Sequence, residues 1–165
     1  MQNFFDLYTG DNEIIKSVEN SIPINLLEND NKFSMIVGSN KSGKTSLAKS
    51  YSMLNQANLI FDIPKSLKNF KKTYLDLNSL NLADENLFHF LEYFISQDIG
   101  LTIFTSTDPL NVDENQAIIA DIKSRLSLFN IARIENPNDE LLFRLIQKFL
   151  KNMSITISDK LIHEI

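Results

Sequence analysis

Apolar positions along the chain switch repeatedly between short continuous runs and helical spacing. FSMIV at residues 33–37 is a continuous run of strand length, and residues 44–54 after it carry apolar positions at helical intervals. The alternation continues with ANLIF (57–61) and TYLDL (73–77) as strands, and residues 84–95 as an amphipathic helix capped by Asp84. LTIFT (101–105) predicts a further strand, residues 113–128 a helix, and residues 130–134 a last short strand. Residues 12–27 predict a helix over their first half and an irregular stretch after Pro23, because proline has no N–H to continue the ladder. Residues 139–150 predict a helix capped by Asn138 or Asp139, and residues 158–165 the start of another. Residues 64–70 fit neither pattern. Five short strands separated by helices predict an α/β fold, a parallel sheet covered on both faces.

The 165 residues amount to one domain with enough apolar material, 43%, for a sizeable core. A formal charge of -5 opposes a general electrostatic grip on DNA or an anionic membrane. The one dense basic stretch, with lysines at 65, 68, 71 and 72, does not reverse that balance. The absence of cysteine removes disulfides, thiolate catalysis and cysteine metal sites. Two histidines, His89 and His163, are too few for a three-histidine metal site; His89 reads as a structural residue at the core boundary. No apolar run is long enough to cross a bilayer and the first residues do not resemble a secretory signal, so a cytoplasmic location is expected.

One segment carries specific chemistry. Gly38, Ser39, Asn40, Lys41, Ser42, Gly43, Lys44 and Thr45 fit the pattern G-x-x-x-x-G-K-[ST], between a predicted strand and a predicted helix. A loop wrapped around phosphates must turn successive backbone N–H groups inward, and Gly38 and Gly43 permit the approach and the dihedrals. The helix start adds free N–H groups and its positive dipole end. Lys44 brings a mobile positive charge to the outer phosphates, and the Thr45 hydroxyl can ligate Mg²⁺. A phosphate-binding loop for a nucleotide follows from the spacing; hydrolysis does not.

With this loop, the segments DENLFHFLEYF (84–94), LTIFTSTDPL (101–110), DIKSRL (121–126) and IENPNDELLFRLIQKFL (134–150) follow in an order that resembles the bacterial replication initiator DnaA and its relative Hda, within the AAA+ ATPases. The resemblance runs from about residue 12 onward and leans toward the Hda branch. It implies a P-loop NTPase fold of AAA+ type: five parallel strands in a nucleotide-binding domain over residues 1–135, then a partial helical lid over 136–165. It also implies ATP or ADP with Mg²⁺, and regulation of chromosomal replication initiation through the sliding clamp and an AAA+ partner. The N-terminal MQNFFDL, with Gln2, Phe4, Phe5 and Leu7, is similar to the short clamp-binding peptide of that branch; an N-terminal segment folded on its own domain is the alternative.

Other positions follow the family unevenly. The strand that ends in two acidic residues in the family offers Asp76 alone, enough to help hold the metal but not to polarise water as well. Ser106, with Thr105 and Thr107, stands where the family places a polar sensor of the terminal phosphate. Arg125 matches the arginine that reaches a neighbour's nucleotide, in DnaA or a second copy; it is one of three arginines in a lysine-rich chain. Arg133 and Arg144 read as surface or interface residues. The family's later lid arginine is not reached, which with the lone Asp76 predicts weak or absent hydrolysis. Autonomous DNA recognition is not expected. Two other readings stay open: a nucleotide-independent interaction module derived from such an ATPase, and a small kinase using Lys68, Lys71 and Lys72.

Overall fold

The computed structural model describes residues 14–29, 31–113 and 117–152. The N-terminal peptide with Gln2, Phe4, Phe5 and Leu7, and the predicted final helix with His163, lie outside them. Within the described residues the chain runs α1 (Val18–Glu28), β1 (Phe33–Gly38), α2 (Lys44–Leu54), β2 (Asn58–Ile60), β3 (Thr73–Asp76), α3 (Glu85–Ser96), β4 (Leu101–Thr105), a single 3₁₀ turn (Pro109–Asn111), α4 (Ala117–Leu126), β5 (Asn130–Ile134) and α5 (Asp139–Asn152). The strands form one sheet in the order β2-β3-β4-β1-β5, and every pairing is parallel.

Strand periodicity divides the core into two layers. Met35 and Val37 of β1, Leu75 of β3 and Ile103 of β4 face α3 and α4, where Phe90, Phe94, Ile122 and Leu126 meet them. The intervening residues Ile36, Tyr74 and Phe104 face α1 and α2, packing with Ile24, Leu47, Ala48 and Tyr51. A one-residue slip in any central strand would exchange these layers, so burial of both faces fixes the register. Residues 61–72 form neither strand nor helix, as expected for 64–70, yet Ile63, Leu67 and Phe70 pack on the first layer. Phe70 meets Phe90, Tyr93 and Phe94 ring to ring.

The first helix departs from expectation. It occupies residues 18–28, not the first half of 12–27, and it runs through Pro23. Pro23 cannot donate to the carbonyl four residues back, that of Glu19. That carbonyl instead accepts the N–H of Glu135 at 3.2 Å, just past β5. A lost helical bond has become a tertiary one, and the buried Pro23, Ile24 and Leu27 supply the packing that offsets the break. The start is secured by the Asn20 side chain, which accepts the Ser17 N–H at 2.8 Å.

Other differences are smaller. Of the helix expected over 113–128, the described residues show Ala117–Leu126, with Asp113 outside it after the 3₁₀ turn in which Asp108 accepts the Leu110 N–H. Asp84 caps α3 through the Asn86 N–H, and Asn138, rather than Asp139, caps α5 through the Leu141 N–H. His89 lies exposed on α3 against the edge of Phe88, not hydrogen-bonded at the core boundary. Among the described residues no helix is long and apolar enough to cross a membrane.

Candidate functional site

Topology selects one place for a ligand. From β1 the chain crosses to the far edge of the sheet by α2 on one face, whereas β4 connects over β1 to β5 by α4 on the other. The crevice at the carboxyl ends of β1 and β4, where the connections diverge, is where open parallel sheets bind ligands. The 38–45 loop leaves β1 at that point.

Its conformation is that of a cradle. Gly43 has φ +92°, a left-handed conformation, and serves as the N-cap of α2. Lys41 is also left-handed, at φ 67°. A side chain at Gly38 would crowd the loop: a Cβ there would lie 2.5 Å from Ser42 Oγ and 3.2 Å from Ile134 Cβ, so these neighbours would have to shift. Ser42 Oγ is buried without a hydrogen-bond partner, a polar atom enclosed at the base of the loop. Ser39 and Asn40 are exposed at the loop's crest, and the Ser39 hydroxyl donates to Asn136 Oδ1 at 3.2 Å.

Lys44 turns back into this loop. Its ammonium donates to the carbonyls of Gly38 at 2.8 Å and Ser39 at 2.7 Å, and the residue is only 6% exposed. Burial pushes its pKa down, and the negative charge of Asp76 acts the other way. That influence links the end of β3 with the start of α2. It follows from parity, since Tyr74 belongs to the layer beneath α2 and Asp76 is two residues further on the same face. Thr45 occupies the first turn of α2 beside Lys44. The loop, Lys44, Thr45 and Asp76 therefore converge on one end of the sheet. An anionic group suits the free N–H groups and Lys44, and a hard cation suits the Thr45 and Asp76 oxygens. No cluster of three or more potential metal-ligating side chains occurs among the described residues, so a metal here needs oxygen donors from elsewhere, as Mg²⁺ bound with phosphates has.

The strand between Asp76 and the loop is β4, whose exit carries three hydroxyls. Thr105 is fully buried, and its Oγ1 accepts the Thr107 N–H at 3.1 Å. Thr107 Oγ1 accepts the Leu80 N–H at 2.8 Å. The Ser106 hydroxyl donates to the Asn78 carbonyl, which also accepts the Ser106 N–H at 3.0 Å. Ser106 thus lies at the expected strand tip with its proton engaged by the loop after β3.

Arg125 is not brought to the site. It sits in the last turn of α4, which leads to the start of β5 and so to the opposite end of the sheet. Its Nε and Nη2 both reach Glu92 Oε2 at 2.7 Å, Nη1 donates to the Asp121 carbonyl at 3.1 Å, and the guanidinium lies 4.0 Å from the centre of the Phe88 ring. The contacts of Asn136 with the loop, and of Arg133 with Asp108, were not legible beforehand. Each joins residues separated by 25 or more positions, and no local pattern marks such a pair.

No protein-family model and no curated protein matches the chain. Solved structures do. Domain III of the Thermotoga maritima replication initiation protein DnaA superposes with a TM-score of 0.69 at 15% identity, over 98% of this chain and 79% of that one. The architecture is an AAA+-like P-loop fold. AMPPCP-bound DnaA from Aquifex aeolicus gives 0.66 at 15% identity over 92% of this chain, which spans 57% of that protein's length. The Thermotoga maritima RuvB Holliday junction branch migration motor gives 0.55 at 20% identity, over 78% and 46% of the two chains.

Proposed function

We propose that the chain is a DnaA/Hda-like regulator of chromosomal replication initiation that binds ATP or ADP with Mg²⁺ at residues 38–45. The observation that carries this reading is the loop itself: a cradle with left-handed Gly43, Gly38 where a Cβ would crowd Ser42, and the Lys44 ammonium held against the loop carbonyls. Gly38 to Thr45 would surround the phosphates with N–H donors, Lys44 would neutralise the outer ones, and Thr45 and Asp76 would hold the metal. Bound Mg²⁺ supplies neutralisation of phosphate charge. Ser106, at the tip of β4, is the candidate contact for a terminal phosphate, to which its hydroxyl would donate on leaving the Asn78 carbonyl.

Action on other proteins is the second half of the proposal. Arg125 belongs to a neighbour's site rather than its own, either in DnaA or in a second copy, and Gln2, Phe4, Phe5 and Leu7 would dock on the sliding clamp. Slow intrinsic hydrolysis fits the single carboxylate at the end of β3, since Leu77 follows Asp76 and leaves no second acid to polarise water. That same feature favours the second reading, an interaction module that works without nucleotide.

Calorimetric titration with ATP and ADP, with and without Mg²⁺, separates the two. Binding by the wild type that is lost in Lys44→Ala supports the nucleotide reading. Absence of binding by the wild type favours the interaction module.

A further inference from the structure

Arg133 and Asp108 are joined across the exit of β1. In the sheet, Arg133 of β5 stands opposite Val37 of β1, and Val37 opposite Thr105 of β4, so the three form one row immediately below Gly38. Arg133 Nε and Nη2 both reach Asp108 Oδ2, at 3.0 and 2.7 Å. Asp108 Oδ1 meanwhile accepts the Leu110 N–H at 3.1 Å. The Asp108 side chain is 15% exposed and the Arg133 side chain 49%. The pair spans the strand that feeds the phosphate loop and ties down the segment carrying Thr105, Ser106 and Thr107.

That segment is anchored on two sides. Toward β3 it is held by Ser106 on the Asn78 carbonyl and by Thr107 on the Leu80 N–H. Toward β5 the anchor among the described residues is Arg133. A guanidinium suits this task because its planar fork delivers two donors in a fixed direction across a strand, which an ammonium does not. The use of arginine here, in a chain with 16 basic residues of which three are arginine, agrees with a geometric demand.

We propose that Arg133 is a positioning residue: its clasp on Asp108 fixes the tip of β4 beside the phosphate loop and so sets the preference between a nucleoside triphosphate and a diphosphate. The proposal rests on nucleotide occupying the 38–45 loop. The reason is placement. The tip of β4 lies between Asp76 and Gly38, on the side to which the outer phosphates would extend toward Lys44 and Asp76, whereas the inner phosphates would be held by loop N–H groups that the clasp does not touch. Loosening the tip therefore weakens the contact to the third phosphate and leaves the others.

The test is titration of wild type, Arg133→Ala, Arg133→Lys and Asp108→Asn with Mg²⁺-ATP and Mg²⁺-ADP, with circular dichroism and thermal unfolding to establish that each variant is folded. ATP affinity is expected to fall about five- to tenfold in Arg133→Ala and Asp108→Asn, the range of one lost hydrogen bond, while ADP affinity stays within about twofold. Arg133→Lys should recover part of the loss. Equal weakening of both nucleotides, or an unchanged ratio, in the folded variants would overturn the clasp and leave nucleotide binding standing. Should Arg133→Ala not fold, the ratio in Arg133→Lys and Asp108→Asn decides in the same way. A wild type that binds neither nucleotide removes the nucleotide reading, and the clasp's proposed role with it.

Discussion

The carbonyl of Glu19 accepts the N–H of Glu135 at 3.2 Å, and it is free to do so because Pro23 cannot. A helix-breaking residue thereby fastens α1 to the turn that leads from β5 into α5. The same turn reaches the phosphate loop through Asn136 and caps α5 through Asn138. Replacing Pro23 with Ala restores a donor that competes for the Glu19 carbonyl. The Glu135 amide should then exchange with solvent about fivefold faster, corresponding to one weakened hydrogen bond. Unchanged protection at Glu135, read by hydrogen-exchange NMR, would show that the proline does not maintain this link.

Lys44 gives the fold a defined pH response. Burial holds its pKa below the ordinary 10.5, against the opposing influence of Asp76. The folded state therefore releases this proton at a lower pH than the unfolded chain does. The penalty for burying the charge is present below the lowered folded value and is relieved as pH rises through it, with no further gain above 10.5. Thermal unfolding of wild type and Lys44→Met should diverge in the wild type's favour as pH rises toward 10.5. A difference between the two that is flat across the alkaline range contradicts this.

Arg125 combines local packing with a proposed role at a neighbour. Arg125→Ala removes the contact with Phe88 and the pair with Glu92, and should lower the unfolding temperature by about 2–4 °C, consistent with roughly 1 kcal/mol from a partly exposed cation. Nucleotide binding should not change, because α4 delivers this residue to the opposite end of the sheet from the phosphate loop. Stimulation of hydrolysis in an AAA+ partner should disappear. Stimulation that survives the substitution excludes the neighbour role.

Much of the fold was readable because strands and helices differ in period. FSMIV and LTIFT are buried on both faces, and such runs announce themselves. The spacing of Gly38, Gly43, Lys44 and Thr45 marked the loop because phosphate binding demands those residues close together in sequence. α1 was misread because Pro23 breaks a helix in isolation, and only packing on β5 and the Glu135 donor compensate. Arg133 is exposed, as a surface or interface residue should be, but its partner was not legible for a related reason: Asp108 lies 25 residues away and is brought near by the β4-β1-β5 order alone. Local chemistry is written locally, and pairs made by topology are not.

The two loop glycines should fail for different reasons when replaced by alanine. At Gly43 nothing lies within 4 Å of an added Cβ, so the cost is the left-handed backbone, about 1–2 kcal/mol. At Gly38 the added carbon would lie 2.5 Å from Ser42 Oγ, and the cost is overpacking, about 1–3 kcal/mol. Because Ser42 Oγ has no hydrogen-bond partner, Ser42→Ala sacrifices no bond and removes the clashing atom. The double variant Gly38→Ala/Ser42→Ala should therefore regain stability relative to Gly38→Ala, while Gly43→Ala/Ser42→Ala should gain nothing over Gly43→Ala. The recovery stays incomplete because Ile134 Cβ, at 3.2 Å from the same position, is unaffected. Chemical denaturation of the wild type and the five variants measures the coupling directly, and a coupling at Gly38 no larger than at Gly43 would mean that the Ser42 hydroxyl does not occupy the base of the loop.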